Sequence, residues 1–306
     1  MRVMGALITL LMVIGCSVLQ KQQDIDKKLT VVATFYPLYD LTRSIVGDKG
    51  TAYSIVPAGV EPHDYEPSPS DFEKLESADA FVTMGIEFEE FEQKLIDARN
   101  DVKVISASAG IPLLKIRAGT DIEIAGTELN EDVHQGIDSH IWLSPVNAQK
   151  MVLNIMEGLI KADPANGDYY LERGQTLIND LKLLDSEFKG GLASCKKEII
   201  LVNHNAFSYL ARDYGFRTIE ISGLEPEAEP TPRQLAELID QAKKNNLKYV
   251  FYEELVDPRI AELIAREVGA QTLKLDPLEG TTDSSATYLS LMQGNLRNVE
   301  VALECR

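Results

Sequence analysis

The chain has 306 residues, with 48 Asp+Glu against 30 Lys+Arg and a formal net charge of −18. At 44% hydrophobic and 25% charged it has globular rather than disordered composition, and the length suits two domains or one large one. A surface this acidic repels phosphate backbones, which excludes nucleic acid as a partner.

The N-terminus stands apart. Arg2 precedes an apolar run from Val3 to Ile14, too short for a bilayer span of about 20 residues and right for a secretory apolar core of about 7–15. Val13-Ile14-Gly15-Cys16 resembles a lipobox. Residues 1–15 are therefore expected to be a signal peptide and Cys16 the lipidation site. Residues 16–28 would then be a polar tether, with the body exported and held at the cell surface or periplasmic face of a membrane. Beyond the signal only Cys195 and Cys305 remain, and an exported protein can pair them or leave both as free thiols.

From Leu29 onward, short β-rich apolar runs alternate with helical patterns. The first half predicts strands at Leu29–Thr34, Thr51–Val56, Ala80–Met84 and Val102–Ser106, separated by helices at Leu38–Val46, Ser70–Ala78 and Glu87–Arg99. The second half repeats the arrangement, with strands at Glu198–Asn203, Arg217–Ile221, Lys248–Tyr252 and Gln271–Leu275 and helices at Ala206–Tyr214, Thr231–Asn245 and Pro258–Val268. Such alternation implies parallel sheets with helices on their faces. Between the halves, Ser144-Pro145 opens a helix to about Lys161 and Asp163-Pro164 opens another, ended by Gly190-Gly191. At 1.5 Å per residue, a helix of about 25 residues spans about 38 Å, enough to brace two lobes and restrict hinge opening. The predicted fold class is α/β, with two four-stranded parallel-sheet lobes joined by a long rigid helix. The N-terminal lobe is 29–162, the linking helix 163–191 and the C-terminal lobe 192–306.

Only four histidines occur: His63, His134, His140 and His204. His63 lies in a proline-rich loop after the second predicted strand, His140 directly before a helix start and His204 directly after an apolar strand. Asp276 follows the last strand of the second half. Their positions are read as loops leaving the carboxyl ends of parallel strands, where open α/β sheets bind ligands. Three imidazoles and one carboxylate form a natural tetrahedral Zn²⁺ site. Nitrogen-rich ligation suits borderline metals and disfavours Mg²⁺ or Ca²⁺.

The flanking residues add a resemblance. Thr34-Phe35-Tyr36-Pro37-Leu38, Gly59–Ser70, Asp138–Pro145, His204–Gly215, Pro226–Thr231 and Leu275-Asp276-Pro277-Leu278 resemble, in order, the ZnuA/TroA-like metal-binding receptors of ABC importers. The resemblance covers the chain from Leu29 to about Gly280. It implies metal ligands at His63, His140, His204 and Asp276, two lobes joined by a long helix, and ABC permease and ATPase subunits as partners. Many zinc-receptor relatives carry a His-rich acidic loop before the second ligand. Here 107–139 is acidic but holds only His134, and it reads as a solvated surface loop. Retention of a third histidine, His204, favours Zn²⁺ as the transported ligand, with Mn²⁺ the alternative within the same class. Glu253 is a candidate partner behind the ligands. The alternative of another class is a zinc-dependent hydrolase, but no H-E-x-x-H occurs and a four-residue protein shell leaves little room for substrate. The reading is therefore a receptor, not an enzyme.

Overall fold

The computed structural model describes residues 28–86, 91–116, 122–124, 136–224, 226 and 228–306. The signal segment, Cys16, the tether through residue 27 and His134 lie outside the described residues.

Four strands, β1 (Leu29–Ala33), β2 (Gly50–Ser54), β3 (Ala80–Thr83) and β4 (Lys103–Ser106), form a parallel sheet in the order β2-β1-β3-β4. Helices α1 (Tyr36–Val46), α2 (Pro69–Glu76) and α3 (Glu92–Ala98) connect them. Every residue of β3 is buried, as expected for a parallel strand covered on both faces. A second parallel sheet has the order β11-β10-β8-β9. Its strands are β8 (Ile199–Val202), β9 (Arg217–Glu220), β10 (Tyr249–Tyr252) and β11 (Gln271–Lys274), linked by α6 (Ser208–Tyr214), α7 (Pro232–Lys244) and α8 (Arg259–Val268). Both sheets wind alike: the first strand pairs with the second, and the chain then crosses back to place the third on its other side. The reversal leaves a crevice at the carboxyl ends of the inner strands.

Between the sheets run α4 (Pro145–Ala162) and α5 (Gly167–Gly191). Ser144 caps α4, its hydroxyl accepting from Asn147 N, with Pro145 in the first turn. The 25-residue α5 buries Tyr170, Leu177, Leu181, Leu184 and Phe188 and packs against α4, α1 and the C-terminal helix α9 (Tyr288–Ala302).

Two features differ from the sequence reading. The stretch read as a solvated loop contains a three-stranded antiparallel sheet, β6-β5-β7, formed by β5 (Leu114–Ile116), β6 (Ile122–Ile124) and β7 (Gly136–Asp138). Three-residue strands are too short to show an alternating pattern. Helix α9 was also not predicted. A capping box between Thr287 and Ser290 starts it, and it returns to pack on α5, α1 and β11.

One apolar core runs through both halves. At its centre Trp142, fully buried, meets Phe35 edge-on at 4.9 Å. Its indole N–H donates to Pro277 O at 2.7 Å, and its carbonyl accepts from Tyr288 Oη at 2.5 Å. Ser144 Oγ donates to Asp213 Oδ2 at 2.5 Å. A buried carbonyl or indole left without its partner costs about 1–3 kcal/mol, so these crossings resist separation of the halves near Trp142.

Cys195 and Cys305 are joined in a disulfide, closing a sequence separation of 110. This settles the choice left open by sequence. Beside it, Lys197 N donates to Leu303 O and Arg306 N to Ser194 O, fixing the end of α9 to the chain leaving α5. Cys305→Ser is expected to lower the unfolding free energy by about 3–5 kcal/mol, as for a crosslink closing a long loop. Guanidinium denaturation measures this, and a loss under about 1 kcal/mol contradicts it.

Candidate metal centre

Four loops deliver side chains to one point. His63 follows β2, His204 follows β8, and Glu279 follows β11. His140 follows β7 of the small antiparallel sheet, not a strand of the main parallel sheets as the sequence reading placed it. Ligand atoms of His63, His140, His204 and Glu279 all lie within 4.8 Å of one another.

The separations are informative. Glu279 Oε1 lies 3.4 Å from His63 Nε2, 3.2 Å from His140 Nε2 and 3.4 Å from His204 Nε2. His140 Nε2 and His204 Nε2 are 3.3 Å apart. Four donors at zinc bond lengths of about 2.0–2.1 Å, tetrahedrally disposed, sit about 3.3–3.4 Å from each other. The separations about Glu279 Oε1 and between His140 and His204 thus match those of a tetrahedral Zn²⁺ shell.

Carboxylates behind the rings set their orientation. Asp138 Oδ1 accepts from His140 Nδ1 and from the His140 backbone N–H, both at 2.9 Å. Glu253 Oε1 and Oε2 lie 2.7 and 2.9 Å from His204 Nδ1. With Nδ1 committed as donor, each Nε2 is left as the lone-pair atom facing inward. Asp138, His140, His204, Glu253 and Glu279 are all buried, whereas the His63 side chain keeps 7% exposure.

Charge follows from this arrangement. Burial pulls the His140 pKa down, but hydrogen bonds to Asp138 and Glu279 outweigh it and the net direction is up. His204 likewise is lowered by burial and raised further by Glu253 and Glu279, ending well above the ordinary imidazole value. Burial alone would raise Glu279, yet the facing histidines hold it well below the usual carboxylate range. Without a metal, these carboxylates favour the protonated forms of His140 and His204.

Asp276 does not join the cluster, contrary to the sequence expectation. Its Oδ1 accepts from Leu278 N at 2.9 Å and its Oδ2 pairs with Lys274 Nζ at 3.1 Å. Its backbone is clamped by Asn295, which accepts from Asp276 N and donates to Asp276 O. Leu278, with φ of 59°, takes a left-handed conformation unusual for a branched residue. The resulting tight turn sends the next residue, Glu279, into the cleft. Asp276 therefore shapes the loop, and Glu279 is the carboxylate that stands in the cluster. Two carboxylates three residues apart after β11 are both plausible by sequence, and the inverted turn between them carries no local signature. Asp138 was also missed, although its position two residues before His140 was open to view.

Comparison with known proteins places this site in context. Residues 31–302 match the family model for ZnuA, the periplasmic component A of the zinc-uptake complex. The chain belongs to the ZnuA family. It is 37% identical over 276 residues to the high-affinity zinc uptake system protein ZnuA of Bacillus subtilis, covering 88% of this chain and 86% of that one. It is 35% identical over 291 residues to the zinc-binding lipoprotein AdcA of Streptococcus pneumoniae, covering 94% of this chain but 58% of AdcA, so it spans under two thirds of that relative. The Zn(II)-bound ZnuA-like domain of the same AdcA superposes with a TM-score of 0.76 at 34% identity, covering 91% of this chain and 100% of the domain. Membership of the ZnuA family agrees with the two-sheet architecture and the long α5.

Glu279→Gln is expected to weaken Zn²⁺ binding at least about 100-fold, because even outer partners of metal ligands cost about 10–100-fold when lost. Asp276→Asn is expected to cost under about tenfold while lowering thermal stability. Competition against a chromophoric chelator measures both, and the reverse order would restore Asp276 as the ligand.

Proposed function

We propose that this chain is the zinc-binding receptor of an ABC metal-uptake system. It captures Zn²⁺ between residues 29–162 and residues 192–306 and delivers it to a permease. The observation that carries this reading is the convergence of His63, His140, His204 and Glu279, with separations of 3.2–3.4 Å about Glu279 Oε1. Two donors come from each half, so a bound ion ties the halves together and its loss frees the mouth of the cleft.

Zinc is the cargo that this geometry supports best. Three imidazoles and one carboxylate at tetrahedral spacing suit Zn²⁺, while Mn²⁺ is better served by more oxygen donors and higher coordination. A shell closed by four protein donors also favours holding an ion over catalysis, which keeps a position open for water. Among the described residues no helix is long and apolar enough to cross a membrane. The permease and ATPase functions are assigned to partner subunits, with the receptor attached through lipid on Cys16 after removal of residues 1–15. The names of AdcA, a zinc-binding lipoprotein, and of the B. subtilis zinc uptake protein support the same assignment.

The full chain should bind one Zn²⁺, and His63→Ala or His204→Ala should each weaken binding sharply. Because His140 and His204 hold protons above the ordinary imidazole pKa, proton competition should begin above about pH 6.5 and affinity should fall as the solution is acidified. Isothermal titration at several pH values measures stoichiometry and slope. Unchanged affinity in both variants, or a flat profile from about pH 8 to 5, contradicts the assignment.

A further inference from the structure

The mouth of the cleft is formed by two loops in close contact. A Cβ on Gly59 would lie 2.9 Å from Thr282 Cγ2, and one on Gly280 would lie 3.2 Å from Val60 O. Loop 59–63 therefore lies against loop 280–282 with little spare space. His63 is carried by the first loop and Glu279 by the second.

Glu61 moves with His63. Its Oε2 accepts from the backbone N–H of His63 at 3.0 Å and of Asp64 at 3.3 Å, which ties the carboxylate to the ligand's own main chain. Its other oxygen, Oε1, is buried with no hydrogen-bond partner and lies 4.0 Å from His63 Nε2. A buried carboxylate oxygen without a donor is costly and calls for an explanation. Glu61 is not among the four convergent residues, so it does not complete the closed tetrahedron. It stands on the His63 side, next to the one imidazole that retains exposure.

We propose that Glu61 is an entry ligand. When the mouth is open, Glu61 Oε1 and His63 Nε2 hold the incoming Zn²⁺ together. On closure, Glu279 Oε1, only 3.4 Å from His63 Nε2, takes the ion and Glu61 lets go. The exchange replaces one carboxylate–zinc bond by another, with no change of oxidation state. Release runs through the same pair in reverse. This inference rests on the reading of the site as a zinc receptor.

The test is the kinetics of Zn²⁺ exchange in the full chain. Trp142, the single tryptophan, has its ring 5.0 Å from that of His140 and serves as the fluorescent reporter. Glu61→Gln keeps an oxygen for the two backbone N–H groups and removes the charged donor. It should slow both Zn²⁺ loading and Zn²⁺ loss to excess chelator by about tenfold, while equilibrium affinity changes under about threefold. Glu66→Gln removes an equal charge from an exposed position on the same loop and should leave both rates near wild type. The proposal is overturned if Glu61→Gln leaves both rates unchanged or if Glu66→Gln slows them equally. It is also overturned if Glu61→Gln weakens equilibrium binding as much as Glu279→Gln, which would make Glu61 a resident ligand. A thermal melt confirms that each variant is folded. Absence of Zn²⁺ binding by the wild-type chain would instead refute the receptor reading itself.

Discussion

Three buried carboxylates, Asp138, Glu253 and Glu279, face three imidazoles in a space nearly closed to water, and that excess of negative charge requires positive charge to balance it. Isolated ionised groups in a low-dielectric interior are costly unless paired. The protein meets the requirement in one of two ways: protons on His140 and His204, or a dication at the centre. A bound Zn²⁺ with neutral imidazoles would leave the three carboxylates and the ion close to balance. Protons on the imidazoles and a bound dication would satisfy the same requirement, and the rest of the fold brings these groups together.

That service is visible in the topology. Two sheets of the same winding deliver His63, His204 and Glu279 from the carboxyl ends of β2, β8 and β11, and β7 of the small antiparallel sheet delivers His140. The halves are joined on one side by α4, α5 and α9 and by the hydrogen bonds of Trp142. Loops 59–63 and 280–282 also lie in close contact. The long helix and the buried indole hold the joined side of the cleft together. The disulfide between Cys195 and Cys305 reinforces the same side by anchoring α9.

Much of this was legible in the residues, for identifiable reasons. The eight strands of the two sheets announced themselves as short apolar runs between capped helices, and α5 by its apolar spacing and the glycines at its end. His63, His140 and His204 stood out because histidine is scarce in the chain and each borders an element end. At the fourth position the sequence pointed to Asp276 and the structure brings Glu279 to the cluster, since the two share a loop and the left-handed Leu278 lies between them. The small antiparallel sheet escaped notice because its strands are three residues long, and α9 because its pattern followed the last recognisable loop.

The central claim is that three imidazole nitrogens and one carboxylate oxygen share a single ion. Zinc K-edge X-ray absorption of the loaded protein tests it most directly. The account predicts four nitrogen or oxygen scatterers at about 2.0–2.1 Å, with imidazole outer-shell features for three rings. A six-coordinate shell, sulfur scattering or fewer than three imidazoles would contradict it.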